Sequence, residues 1–324
     1  MKLFFPVIFA TAYGLITRLL FGMFGNIMGI MTTSFFVIGP LVIGFLTVFF
    51  LPQKEVRNSS TAFFLPWLTC LILLVITIAL KVEGIICWVM AYPLFAVVAG
   101  FGGLIANKIR KKKDMKIDDM ENYNKWTDKD KLSISLVMLL PIICATIEGE
   151  RFTSRQDITL TQSVVIDATA AAVWEAIGST RNVAKKHAGY SGMLGFPHYV
   201  KTTQDNFALG GKRRAVYERG LYFDETISGF EKEKLLVLDI KTDPYNIPPA
   251  VMDEHILIGG KHLDILQDVY QLEALPNGSS SLSISSHFFI NTPFNWYAGL
   301  WARLLMNDIL NGTLNMVKER VGKK

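Results

Sequence analysis

Arg219, Phe223, Glu225 and Ile227 share one parity along two adjoining extended segments, and this is where the sequence first suggests chemistry. If all four face inward, Arg219 and Glu225 are among a few polar groups in an apolar setting, able to orient a ligand carboxylate or hydroxyl. A buried Glu225 would titrate high and could act as a general acid or base. The turn at Gly220 could break this phase, and a cross-strand pair of Arg219 and Glu225 on the outer face is the competing reading. All five histidines, His187, His198, His255, His262 and His287, lie in the C-terminal half. Their spacing matches no helical zinc signature and no cysteine stands near, so no metal site is expected. His287 runs in phase with Ser283, Ser285 and Asn291, opposite to Leu282, Ile284, Phe288 and Ile290, and should point to solvent. No Gly-rich phosphate loop, Ser-His-Asp order or nucleophile elbow occurs. No cofactor is therefore expected, and no complete catalytic constellation is visible.

The elements that must carry these residues are mostly strands. Residues 159–167 alternate, with Leu160, Val164 and Ile166 on one face. Thr169 is placed to cap a short helix over 171–177, where Val173, Trp174 and Ile177 recur at helical spacing. After a loop containing Gly189, Gly192, Gly195 and Pro197, strand-like segments follow at 212–219, 221–230, 234–241, 262–275 and 280–291. Gly220, Pro244, Pro248-Pro249 and Pro276-Asn277-Gly278 separate them. A long amphipathic helix from 294 to about 320 closes the chain, with Tyr297, Leu300, Trp301, Leu304, Leu305, Ile309, Leu314 and Val317 as its apolar stripe. This is an α+β arrangement in which a curved antiparallel sheet around a long helix would enclose a hydrophobic cavity. Tyr217, Arg219, Phe223, Glu225, Tyr270 and Trp301 are the residues expected to meet a ligand there.

The first half of the chain reads as membrane. Hydrophobic residues make up 51% of the sequence and are concentrated there. A helix needs roughly 20 residues to cross about 30 Å of hydrocarbon. Residues 3–24, 27–51, 61–80 and 84–106 qualify, with Arg18 inside the first and Pro40 inside the second. Residues 132–147 are marginal, covering about 24 Å as a helix. The N-terminal residues superficially resemble a signal peptide but lack a small-residue cleavage site, so they read as a retained span. A basic knot (Lys108, Arg110, Lys111, Lys112, Lys113) fixes orientation. If it is cytoplasmic, Lys2, Lys54 and Arg57 also fall inside and only Lys81 falls outside. The expected organisation is a four-span bundle over 1–107, a basic and polar cytoplasmic loop over 108–131, a fifth span over 132–148 and a soluble domain over 155–324. Five spans place that domain outside the cytoplasmic (inner) membrane. In the competing topology 132–147 is interfacial or buried and the domain is cytoplasmic.

Arg18 is expected to snorkel at the outer end of its span, since no acidic partner appears in another span. Gly25 and Gly29 suit a tight turn better than helix contact, and Pro40, Pro93 and Pro141 should kink helices. No span carries the Asp, Glu or His relay of a coupled transporter. Cys70, Cys87 and Cys144 all lie in apolar runs, which excludes a disulfide scaffold for the soluble domain. Residues 132–324 carry 19 Lys and Arg against 20 Asp and Glu, so a nucleic-acid partner, which needs a basic face, is excluded.

The C-terminal half resembles the polyketide cyclase/dehydrase and lipid-transport branch of the START-like, helix-grip superfamily. The resemblance rests on Val165-Ile166-Asp167-Ala168 with Val173-Trp174-Glu175-Ala176-Ile177, on Leu209-Gly210-Gly211-Lys212-Arg213-Arg214 with Gly220-Leu221-Tyr222-Phe223-Asp224-Glu225-Thr226-Ile227, and on the Trp-containing final helix. It implies a cavity for lipids, sterols, polyketides or other apolar molecules, in proteins that are variously carriers, sensors or cyclases. The sequence departs from the family in its fused membrane half and in an insertion-like segment over 245–261. The expected function is a membrane-anchored binding or transport protein for an apolar small molecule. The alternatives are a cyclase- or hydrolase-type enzyme using the same cavity and a membrane signalling or scaffold protein.

Overall fold

A computed structural model describes residues 4–24, 29–51, 58–114, 128–148, 152–183, 189–247 and 257–322. The chain divides into two compact units, Met1–Thr153 and Ser154–Lys324. The first consists of α1 (Phe4–Met23), a π-helical turn (Ser34–Ile38) that runs into α2 (Gly39–Phe49), then α3 (Ser59–Ala79), α4 (Ile85–Asp114) and α5 (Asp128–Glu148). Of these, α1, α3 and α4 are long and apolar enough to cross a membrane, while 34–49 and 132–148 are shorter apolar helices. Helix α4 continues through the basic residues assigned to a loop by sequence. Lys and Arg are good helix formers, and at a C-terminus their charge opposes the helix dipole.

Small residues set the spacing of α2 and α4. A Cβ on Gly44 would lie 1.8 Å from the Ala99 carbonyl oxygen, and one on Gly102 would lie 2.0 Å from that of Leu41. Such close backbone approach is how apolar helices gain packing energy where the surroundings are equally apolar. Polar groups fix the rest. Glu148, at the end of α5, is buried and accepts hydrogen bonds from Thr33 N at 2.7 Å, Ser34 N at 2.8 Å and Ser34 Oγ at 2.6 Å. It thereby satisfies the free amides that open the helical segment at Ser34. Tyr13 Oη donates to the Met138 carbonyl at 2.7 Å. Arg110 Nη1 donates to the Val48 carbonyl on the last turn of α2 at 2.7 Å. The structure corrects the reading of Arg18, which is buried and paired with Glu83, with the Val82 carbonyl at 3.3 Å. Glu83 lies between α3 and α4 rather than inside a span, so the apolar runs alone do not reveal it. Gly25 lies outside the described residues.

The second unit is a seven-stranded antiparallel sheet of order β1-β7-β6-β5-β4-β3-β2. Its strands are β1 (Ser154–Ile166), β2 (Tyr199–Gln204), β3 (Lys212–Tyr217), β4 (Tyr222–Glu231), β5 (Leu235–Lys241), β6 (Leu263–Ala274) and β7 (Ser280–Thr292). Two short helices, α6 (Ala170–Ile177) and α7 (Tyr190–Met193), follow β1, and α8 (Asn295–Val321) closes the chain. The curved sheet packed on a long final helix is the helix-grip fold. Thr169 caps α6 as its position suggests, its Oγ1 accepting from Ala172 N at 3.4 Å. The core joins Ile158, Leu236, Leu238, Leu282, Ile284 and Phe288 of the sheet to Met306, Leu310, Leu314 and Val317 of α8. The α8 stripe read from sequence is only partly the buried one, because Leu300 and Leu304 join Trp296 on the exposed face. Helical spacing alone does not say which side of the N-terminal turns the sheet covers. Helix α7 lies within 189–197, where the Gly and Pro content suggests only a loop, and β2 lies between that stretch and 212, where no strand is expected from sequence.

Candidate ligand-binding site

The site is built where β3 and β4 meet. Gly210, just before β3, has φ +81°, a conformation glycine adopts without strain. Its amide donates to the Ile227 carbonyl at 2.8 Å, and the Ile227 amide donates to the Gly211 carbonyl at 3.0 Å. This locks the start of β3 to β4 in a register that sets Arg213 opposite Glu225 and Arg214 opposite Asp224. Successive side chains point to opposite faces. The Arg213 and Glu225 side chains therefore turn inward, with Nε and Oε2 3.2 Å apart. The Arg214 guanidinium turns outward, donating to Asp224 at 2.6 and 3.0 Å and lying 4.1 Å from the Tyr222 ring. On β6 a register shift between Ile265 and Gln267 marks a bulge at Leu266. The extra residue lets Ile265 and Asp268 both face inward.

A cavity of about 700 Å³ lies between this inner face and the second half of α8. Ala215, Phe223, Ile240 and Ile284 from the sheet and Met306 and Leu310 from α8 contribute apolar wall. Arg213, Glu225, Asp268, Ser286, Tyr217 and Tyr270 contribute a polar cluster. Asp268, Tyr217 and Tyr270 keep some accessible surface, and since all three line this cavity, that surface is its wall. Burial pushes the Glu225 carboxyl up to about 7 against the opposing pull of the Arg213 charge. Burial likewise raises Asp268 to about 6. The phenols of Tyr217 and Tyr270 are raised too, by burial first and then by the nearby carboxylates. Each shift follows from placing a charge where little water can solvate it. Arg213 Nε and Nη1, Glu225 Oε2, Asp268 Oδ1 and Ser286 Oγ have no aligned hydrogen-bond partner among the described residues. The contact of Arg213 with Glu225 is thus a meeting of buried charges at 3.2 Å. A ring–ring chain of Phe196, Tyr199, Tyr217 and Phe223 holds the Tyr217 side of the wall, and Tyr199 Oη is engaged with Thr202 Oγ1 at 2.6 Å.

Of the residues chosen from sequence, Tyr217, Phe223, Glu225 and Tyr270 lie together on the cavity wall. Arg219 does not. It occupies the tip between β3 and β4 at φ 57°, exposed, with Nη1 3.3 Å from the Gly195 carbonyl. The 3-10 turn Glu218–Gly220 breaks the parity that linked Arg219 to Glu225. The outer cross-strand pair also exists, but as Arg214 with Asp224. Trp301 is half-buried on α8 and is not part of the wall. Sequence reasoning missed Arg213, Asp268 and Ser286. Arg213-Arg214 and Asp224-Glu225 stand equally far from Arg219, and a hairpin centred there would have paired them. Nothing in the sequence marks the bulge that brings Asp268 inward.

His287 faces outward as expected, with Thr159 Oγ1 3.0 Å from Nδ1 and an Asp157 oxygen 3.7 Å from Nε2. His198 lines the cavity, and His262 Nδ1 lies 2.9 Å from the Asn291 carbonyl. His187, His255 and residues 248–256 of the insertion-like segment lie outside the described residues. Among the described residues no three His, Cys, Asp or Glu side chains form a group that could hold a metal ion.

No family model and no curated protein matches this chain. Similar solved structures include norcoclaurine synthase from Thalictrum flavum, 13% identical, covering 53% of this chain and 97% of its own, with a TM-score of 0.36. The Zhui aromatase/cyclase from Streptomyces sp. R1128 is 14% identical over 52% of this chain and 95% of its own, with a TM-score of 0.34. A protein from Nitrosomonas europaea is 13% identical over 51% and 95%, with a TM-score of 0.32.

Proposed function

We propose that the chain is a membrane-anchored protein whose Ser154–Lys324 unit binds or carries an apolar or amphiphilic small molecule, of lipid or polyketide kind, between its sheet and α8. The cavity carries this reading. At about 700 Å³ it falls within the roughly 300–1,000 Å³ of small-molecule sites, and its wall combines aliphatic side chains with a buried polar cluster. Attachment to a bilayer would hold such a pocket where apolar molecules concentrate. Replacing Ala215, a buried wall residue, with tryptophan fills the cavity. Native mass spectrometry of the full chain should find a small-molecule adduct on the wild type, reduced at least about tenfold in Ala215→Trp. A wild type that never carries or takes up an apolar molecule ends this reading.

The same proposal has five membrane crossings and places the Ser154–Lys324 unit outside the cytoplasmic membrane, supported by the distribution of Lys and Arg. Tyr245, 95% exposed, offers a test. In intact cells the Tyr245→Cys variant should react with a membrane-impermeant maleimide, whereas reaction only after lysis puts the unit inside.

One observation favours a second reading, a cyclase- or hydrolase-type enzyme. Glu225, raised to about 7 inside the cavity, is suited to move a proton near neutral pH. On that reading Glu225→Gln abolishes turnover and leaves ligand binding intact; turnover that survives removes Glu225 from the role.

A further inference from the structure

We infer that the polar end of the cavity's ligand is a hydrogen-bond donor without negative charge, a hydroxyl or an ammonium, and that carboxylate- and phosphate-ended amphiphiles are rejected. The inference rests on the ligand-binding reading above and narrows it to a class. Three observations carry it. First, the inward groups on β3, β4, β6 and β7 include two carboxyls, Glu225 and Asp268, against one guanidinium, Arg213. Second, that guanidinium already faces Glu225 at 3.2 Å, while Asp268 forms no ion pair among the described residues. Third, Glu225 Oε2 and Asp268 Oδ1 have no hydrogen-bond partner among the described residues, and Ser286 is the hydroxyl that stands against the Asp268 carboxyl.

A buried acceptor without a donor costs free energy that a ligand can recover only by bringing a donor. Above about pH 7, where both carboxyls have lost their protons, an anionic head would instead bring a third negative group beside them, in surroundings that screen charge poorly. On the sheet wall only Arg213 would offset them; the other basic side chains of the lining, Lys318 and Arg320, stand on the last turns of α8, Lys318 exposed and Arg320 donating to the Ala176 and Arg181 carbonyls. A hydroxyl can donate to Asp268 and accept from Arg213. An ammonium can supply the cation that Asp268 lacks, with the Tyr217 and Tyr270 rings beside it.

Photolabelling of the full chain in lipid nanodiscs tests this, because adducts mapped to peptides separate cavity binding from partition into the bilayer. Three probes with the same alkyl chain and mid-chain diazirine would end in hydroxyl, ammonium or carboxylate. The alcohol and the amine should label peptides carrying Ile284 and Leu310 at least about tenfold more than the acid. In Asp268→Asn the preference for the amine over the acid should shrink by a similar factor, and Asp157→Asn, which removes an exposed carboxyl outside the cavity, should keep it. Labelling of the cavity by the acid at the level of the alcohol and amine overturns the inference while leaving the binding reading intact. Absence of cavity adducts from all three probes overturns both.

Discussion

Arg213→Met is expected to destabilise the β3–β4 region by about 3 to 5 kcal/mol at pH 8, because removing one member of a buried ion pair leaves the other charge without a counter-ion. The pair is well buried, with side chains 6% and 10% exposed. The loss should be much smaller at pH 5.5. Burial lifts the folded Glu225 carboxyl from 4.5 to about 7. The folded state thus holds a proton that the unfolded chain releases, and stability falls as pH rises through about 7. Arg213 pulls that value down, so the variant should titrate higher still and escape the cost by protonation in acid. Hydrogen exchange of the β3 and β4 amides at the two pH values reads the effect. The double variant Arg213→Met with Glu225→Leu should regain most of the loss, since it removes both charges at once. Equal destabilisation at both pH values would contradict the assignment of Glu225 as the stranded charge.

Glu148→Ala is expected to cost about 3 kcal/mol or more in the first unit, since hydrogen bonds to a charged acceptor are worth about 1.5 to 3 kcal/mol each. Three donors converge on this carboxylate, the amides of Thr33 and Ser34 and the Ser34 hydroxyl. Two of these are backbone amides at a helical start with no intrahelical partner. The effect should appear as a lowered unfolding temperature in detergent and as faster exchange of the Thr33 and Ser34 amides. Glu148→Gln keeps an acceptor oxygen but not its charge, so it should fall between the two. A variant indistinguishable from wild type would show that α5 is held by apolar contact alone.

The strands β3 to β7 and the long final helix were legible because one face of each is buried and the other is not, which prints alternation or helical spacing into the sequence. Glu225, Phe223, Tyr217 and Tyr270 could be chosen for the same reason. Arg219 misled because parity survives only while a strand continues, and the chain turns at Glu218–Gly220. Asp268 was hidden by a bulge at Leu266, where one added residue moves every later side chain to the other face. Ser286 lies in a serine-rich run and gains its meaning only from the cavity it faces. Glu148 read as the polar end of an apolar run, since its three donors lie more than a hundred residues earlier in the chain.

If the space between the sheet and α8 is a ligand site, density for the chain isolated from its native membrane should show it occupied. Continuous non-protein density is expected in the cavity, with one end within hydrogen-bond distance of Asp268 or Glu225 and the remainder against Ile284 and Leu310. A cavity closed by inward movement of Met306 and Leu310, with Arg213 and Asp268 satisfied by protein groups alone, would contradict it.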